Sequence, residues 1–229
     1  MTLTRSLFAT AVAAAMSAMM LVPASAQEAT APAQAETAAP EAAAAADQMP
    51  EGKVLDDIVL GQESAPVTMV EYASFTCSHC RDFHNNNFAK LKAEYIDTGK
   101  VKFIQRDVYF DAVGLWAGVL ARCGGDDKYY AVADILFADQ TTWLAAQSGD
   151  EIAANLRKVG AKAGMSTEQM DACWADQQQV ANLVATFQKH AGDDKIEGTP
   201  TFMINGEMVQ NQPWDDLKKV LDDKIAAAG

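Results

Sequence analysis

Cys77 and Cys80 stand two residues apart in SFTCSHCRDF, with His79 between them. Such a pair grips metals, staples loops or exchanges electrons, and the spacing alone does not choose among the three. Its flanks constrain the fold more sharply. Ahead of it, APVTMVEYASF is a short apolar run rich in β-branched and aromatic residues, entered after Pro66, and predicts a buried strand. Behind it, CRDFHNNNFAKLKAEYIDTG sets Phe83, Leu91 and Tyr95 at roughly helical spacing and ends on Gly99, suited to a helix C-cap. Cys77 is therefore expected at a strand-to-helix junction, at or near the helix start.

The remaining pattern supplies the rest of a sheet. KVKFIQRDVYF reads as a second strand. From about 111 to 194 the character changes to successive helices: AVGLWAGVLARC, KYYAVADILFADQ, DEIAANLRKVGAKAG and STEQMDACWADQQQVANLVATFQKHAG. Ser166 followed by Gln169 fits a capping box opening the last of them. GTPTFMINGEMVQ then gives two strands around Asn-Gly, a strong hairpin signal, and PWDDLKKVLDDKIAAA closes as an amphipathic helix with Pro213 at its first position. No internal repeat is present. The order predicts an α/β sheet layer with an α-helical insertion between its halves.

The N-terminal segment bears on compartment. Arg5, the apolar run Leu7 to Val22 and the small triplet Ala24-Ser25-Ala26 read as a signal peptide over 1–26; an uncleaved anchor is the alternative, for which the run is short. Residues 27–52 are mostly Ala, Glu, Pro and Gln, too poor in bulky apolar side chains to offset ordering entropy, and read as a disordered tether. The folded domain is expected over 53–228. A net charge of −13, with 31 acidic against 18 basic residues and no basic stripe, argues against nucleic acid and anionic membranes as partners. Export would place the four cysteines where disulfides persist, which permits both electron exchange and stapling.

At a helix start, unpaired backbone N–H groups and the positive end of the dipole favour thiolate, the reactive form, on Cys77. A protonated His79 would add to this. One turn on, Cys80 would point inward and act as the resolving thiol. Zinc fits less well: Cys77, Cys80 and His84 offer three ligands where a closed site takes four. A staple across two residues removes little chain entropy. Redox chemistry is the expected use. Cys123 and Cys173 both fall in the insertion; export favours pairing them over leaving two buried thiols, and the loop closed would contribute roughly 4 kcal/mol. His84 and His190 read as ordinary surface or partly packed residues, and Trp116, Trp143 and Trp174 as core.

VEYASFTCSHC and GTPTFMING, in that order and with a helical insertion between, resemble the DsbA family of exported thioredoxin-fold disulfide oxidoreductases. The resemblance covers about Val54 to Ala228. It implies a thioredoxin-like fold with an α-helical insertion, and it makes Pro200 the cis-proline beside the dithiol, although TPTF read alone suggests a strand-start proline with a trans bond. Thr199 would then touch both dithiol and substrate backbone. Glu71, six positions before Cys77, matches the acid that moves protons to and from the inner thiol; from the residues alone it could equally mark a strand edge or exposed face. Two departures stand out. Ser78 replaces the proline of the best-known oxidases, and Thr199 stands where some have valine, which leaves oxidase against isomerase open. The expectation is a periplasmic, monomeric oxidase with no metal or organic cofactor, whose disulfide is itself the redox group. Its partners would be reduced exported proteins and a quinone-linked membrane reoxidant of the DsbB type. An isomerase or reductase on the same fold, and a non-enzymatic metal-binding protein, are the alternatives.

Overall fold

The structure, a computed structural model, describes residues 49–228. The expected signal peptide at 1–26 and the tether up to residue 48 lie outside the described residues. No helix among the described residues is long and apolar enough to cross a membrane.

A two-residue strand, β1 (Val59–Leu60), precedes β2 (Val67–Ala73), whose VTMVEYA is buried on both faces and sits in mid-sheet, as a near-continuous apolar run should. β3 (Val101–Asp107) runs parallel to β2, from Val67 opposite Val101 to Ala73 opposite Asp107. Parallel neighbours need a crossover, and a helical rod from Ser78 to Ile96 supplies it. The rod comprises α1 (Ser78–Phe83), a wide π-type turn (His84–Phe88), α2 (Ala89–Leu91) and a second wide turn (Lys92–Ile96). β4 (Thr201–Ile204) pairs antiparallel with β2, Glu71 opposite Phe202, and turns into β5 (Glu207–Gln210). Asn205 at φ +50 and Gly206 at φ +82 give that turn the left-handed pair a tight hairpin needs. The sheet order is β1-β3-β2-β4-β5. β1 was not expected, because two residues are too few to show a period.

Between β3 and β4 lie α3 (Ala112–Cys123), α4 (Asp126–Ala138), α5 (Gln140–Trp143), α6 (Gly149–Lys162), α7 (Thr167–Ala175) and α8 (Gln177–Asp193); α9 (Trp214–Ala228) closes the described chain. The long STEQ segment, expected as one helix, is two. Asp176 leaves helical geometry at ψ 90 and caps α8, accepting from the Gln179 N–H at 3.0 Å. Only half of the expected capping box forms. Ser166 accepts from the Gln169 N–H at 3.2 Å, while the Gln169 amide donates to the Cys123 carbonyl at 3.2 Å, tying α7 to α3. The Cys123–Cys173 disulfide reinforces the same contact.

Three apolar clusters organise these layers. Met69, Phe103 and Phe202 meet Phe83, Leu91 and Leu217 on one sheet face. On the other, Val70, Tyr72 and Ile104 meet Phe187 and Ala191 of α8. The third fills the insertion around Leu120, Leu136, Phe137 and Trp143 and reaches Phe75 and Cys80. The dithiol thus lies on the seam between sheet and insertion. Trp143 is core, at 1% exposure, but Trp116 is not: at 37% exposure it lines an open cleft with Trp174 and Arg157 where the outer helices meet.

Candidate active site

β2 ends in a tight loop in which the Cys77 N–H donates to the Ser74 carbonyl at 3.1 Å. Cys77 keeps extended geometry (φ −81, ψ 122) as the N-cap, and its carbonyl accepts from the Arg81 N–H at 3.1 Å. Its thiol is partly exposed, whereas Cys80, one turn on, is fully buried. Across from them the Thr199–Pro200 peptide is cis, and the Thr199 carbonyl oxygen lies 3.4 Å from Cys77 Sγ, within reach of the protonated thiol. Pro200 is buried and Thr199 half-buried.

These surroundings push the two thiols apart. A hydrogen bond from the Cys80 thiol, with further ones from the Thr199 side chain and from the backbone N–H groups of Cys80 and His79, lowers the Cys77 pKa from 9.0 to about 5 against the opposing effect of burial. Burial, the hydrogen bond to Cys77 and the charge of Glu71 push the Cys80 thiol far up. At neutral pH the pair is a thiolate beside a thiol. His79 was expected to help through a charged imidazole; its ring is exposed, and the contribution comes through its backbone N–H at the helix start.

Glu71 is neither at an edge nor exposed. It alternates with Met69 and Ala73 on the β2 face that the rod covers, at 0% exposure. His84, expected at the surface or partly packed, lies beneath the dithiol as its partner: Nε2 is 2.9 Å from Glu71 Oε2. The imidazole stacks on Phe137, with centroids 4.0 Å apart and planes at 15°. The signal was available, since His84 follows Cys80 by four residues and so shares its inward stripe. Among the described residues Glu71 Oε1 and His84 Nδ1 have no hydrogen-bond partner. No group of three or more His, Cys, Asp or Glu there converges as a metal site, and His84 is turned to Glu71.

A second residue was missed. Gln140 of α5, at 2% exposure, donates from Nε2 to the Phe75 carbonyl at 2.8 Å and the Cys77 carbonyl at 2.9 Å. It clamps the active-site loop to the insertion. Nothing in the sequence marked it, because it lies 63 positions from Cys77. Cys123 and Cys173 form a separate disulfide across a separation of 50 residues.

A strand–Cys-x-x-Cys–helix junction, faced by a cis-proline loop and underlain by a buried carboxyl, defines a thioredoxin-fold dithiol protein. The family model described as Thioredoxin matches residues 53–223, and the chain belongs to that family. The crystal structure of Wolbachia pipientis alpha-DsbA1 superposes with a TM-score of 0.69 at 26% identity, covering 77% of this chain and 94% of that one. The architecture is that of the DsbA proteins, a thioredoxin-like fold with inserted helices. A Rickettsia bellii protein provisionally named a protein-disulfide oxidoreductase is 30% identical over 171 residues, 74% of this chain and 65% of that protein. This chain therefore spans slightly under two thirds of that relative. Bacillus subtilis disulfide bond formation protein D is 26% identical over 176 residues, 73% of this chain and 76% of that protein.

Proposed function

We propose that this protein is a thiol:disulfide oxidoreductase that oxidises reduced exported proteins in the periplasm. The observation that carries the proposal is the asymmetry of the pair, a partly exposed Cys77 at the helix N-cap beside a fully buried Cys80, with surroundings that lower the pKa of the first and raise that of the second. A low pKa at Cys77 stabilises the dithiol, so the disulfide form is electron-poor and takes electrons readily.

In the oxidising direction a substrate thiolate attacks Cys77 Sγ of the Cys77–Cys80 disulfide. The new bond joins Cys77 to the substrate, the old one breaks, and its electron pair leaves on Cys80, which takes up a proton. A second substrate thiolate attacks the substrate sulfur of the mixed disulfide and releases Cys77 as thiolate. The substrate has lost two electrons and the protein has gained two. Thr199 and Pro200 face the reacting sulfur and are placed to hold the substrate backbone, and Glu71 is the acid that exchanges the proton of Cys80. No metal or organic cofactor enters these steps. A quinone-linked membrane protein of the DsbB type is the proposed reoxidant, on the strength of the family resemblance.

A reduced, unfolded disulfide protein, incubated with catalytic amounts of this chain and glutathione disulfide, tests the proposal. The chain should accelerate disulfide formation, Cys77→Ser should abolish the effect, and Cys80→Ser should accumulate mixed disulfides. No acceleration would sink the oxidase proposal. Faster reshuffling of a scrambled protein than oxidation of a reduced one would point to an isomerase instead.

A further inference from the structure

The proton that Cys80 takes up comes from a site that holds more than a carboxyl. Glu71 and His84 lie together in the interior, 0% and 9% exposed, with Nε2 and Oε2 2.9 Å apart. The imidazole is held between Phe137, stacked at 4.0 Å, and Phe88, tilted at 4.8 Å, so its plane is fixed. A wide helical turn begins at His84 itself, and such turns gather at functional sites. Were the ring only filler, an apolar side chain would serve better, because a buried nitrogen without a partner is costly. Both His84 Nδ1 and Glu71 Oε1 are in that condition.

We propose that Glu71 and His84 work as one buried acid–base unit, in which His84 is the positioning residue that orients the carboxyl and holds the proton delivered to Cys80. The inference rests on the oxidoreductase function proposed above and adds a residue to it. In the disulfide form the unit holds the proton that Cys80 will need. When the Cys77–Cys80 bond breaks, the electron pair stays on Cys80 Sγ and one proton passes from the unit to that sulfur. The negative charge then rests on Glu71, whose Oε2 accepts from the Nε2–H of a neutral imidazole. On reoxidation Cys80 returns a proton to the unit, which is unchanged over the cycle.

Among the described residues the titratable groups around the unit are few. From the rod they are Cys80 and, beyond it, the Cys77 thiolate; from α4 they are Asp134 and Tyr130, whose carboxyl and hydroxyl are pushed up by burial. The residues opposite Glu71 on β3 and β4 are Gln105 and Phe202, both uncharged.

The test is single-turnover opening of the Cys77–Cys80 disulfide by reduced glutathione across pH, with rates divided by glutathione thiolate concentration. The wild type should show an inflection that coincides with the titration of the His84 imidazole followed by nitrogen NMR. H84Q, which keeps a hydrogen bond to Glu71 but has no group that titrates near neutral pH, should lose the inflection and slow opening about a hundredfold, the low end for a positioned acid–base group. E71Q should do the same, and the double variant should be no slower than either single, since the two act as a unit. An unchanged H84Q profile, multiplying effects in the double variant, or an inflection away from the His84 titration would overturn the inference. The last comparison uses wild type alone and stands even if H84Q does not fold. A wild-type disulfide that glutathione does not open would overturn the proposed function and this inference together.

Discussion

Cys77 Sγ lies 3.4 Å from the Thr199 carbonyl oxygen, a contact between residues 122 positions apart. That contact puts the loop before β4 directly over the nucleophile. A peptide laid along the loop would bring its own sulfur onto Cys77 and find Cys80 closed to it, since Cys80 is fully buried. The fold therefore leaves one sulfur open to approach and closes the other.

Cys77 should react as a thiolate across the whole neutral range. Alkylation of the reduced protein, followed against pH by mass, should rise at Cys77 with a midpoint at about 5, and Cys80 should stay unmodified at neutral pH. A Cys77 midpoint near the ordinary 9.0 would remove the activated nucleophile.

Replacing Gln140 with Ala should destabilise the protein well beyond the effect of a surface change. The side chain supplies two hydrogen bonds, at 2.8 and 2.9 Å, to the Phe75 and Cys77 carbonyls, and its loss takes a buried partner from each, leaving the Cys77 carbonyl only the Arg81 N–H. A loss of about 2–3 kcal/mol in denaturant melts is expected, with a raised Cys77 pKa as the active-site loop loosens. A loss under about 0.5 kcal/mol would show that Gln140 clamps nothing.

Removing the insertion's disulfide as C123A/C173A should lower stability by up to about 4 kcal/mol, through freedom returned to the unfolded chain between residues 50 apart. Melts of the variant and parent, both with Cys77–Cys80 reduced, measure this. Unchanged melts would mean that α3 and α7 are held by packing and the Gln169 amide alone.

Much of this arrangement was legible in the sequence, and the gaps have physical reasons. The central strand, the dithiol at a helix start and the Asn-Gly hairpin all depend on local chemistry, which short windows record. Asp176 broke an expected helix because a capping carboxylate and a mid-helix carboxylate look alike until the backbone turns. His84 carried a local signal, four residues after Cys80 on the same stripe, yet its value depends on Glu71 arriving from the neighbouring strand. Gln140 carried none, since only the packing of α5 against the active-site loop gives it a role. Trp116 was expected inside because it is large and apolar; among the described residues no further layer covers the helix surface it occupies.

Stability should respond to pH in a direction set by Cys77. Its pKa falls from 9.0 in the unfolded chain to about 5 in the folded dithiol, so between those values the folded form binds fewer protons. The resulting stabilisation is absent below about pH 5, grows above it and is complete above about 9. Cys80, pushed upward, works against it only where an unfolded thiol would ionise, above about 9. From pH 5 to 8 the reduced protein should therefore gain stability relative to the oxidised one. Parallel guanidinium melts of both forms test the slope, and a flat or falling difference would mean that Cys77 is not held as thiolate.

The most direct measurement is the equilibrium of Cys77–Cys80 with glutathione, read as the fraction of dithiol across a range of glutathione ratios. Thioredoxin, a reductant, lies at roughly −270 mV and DsbA, an oxidant, at roughly −120 mV. A thiolate stabilised as at Cys77 should place this pair more positive than roughly −200 mV, with the dithiol as the stable partner. A potential of roughly −200 to −270 mV or lower would contradict the account, because the disulfide would then be the stable form and the protein a reductant.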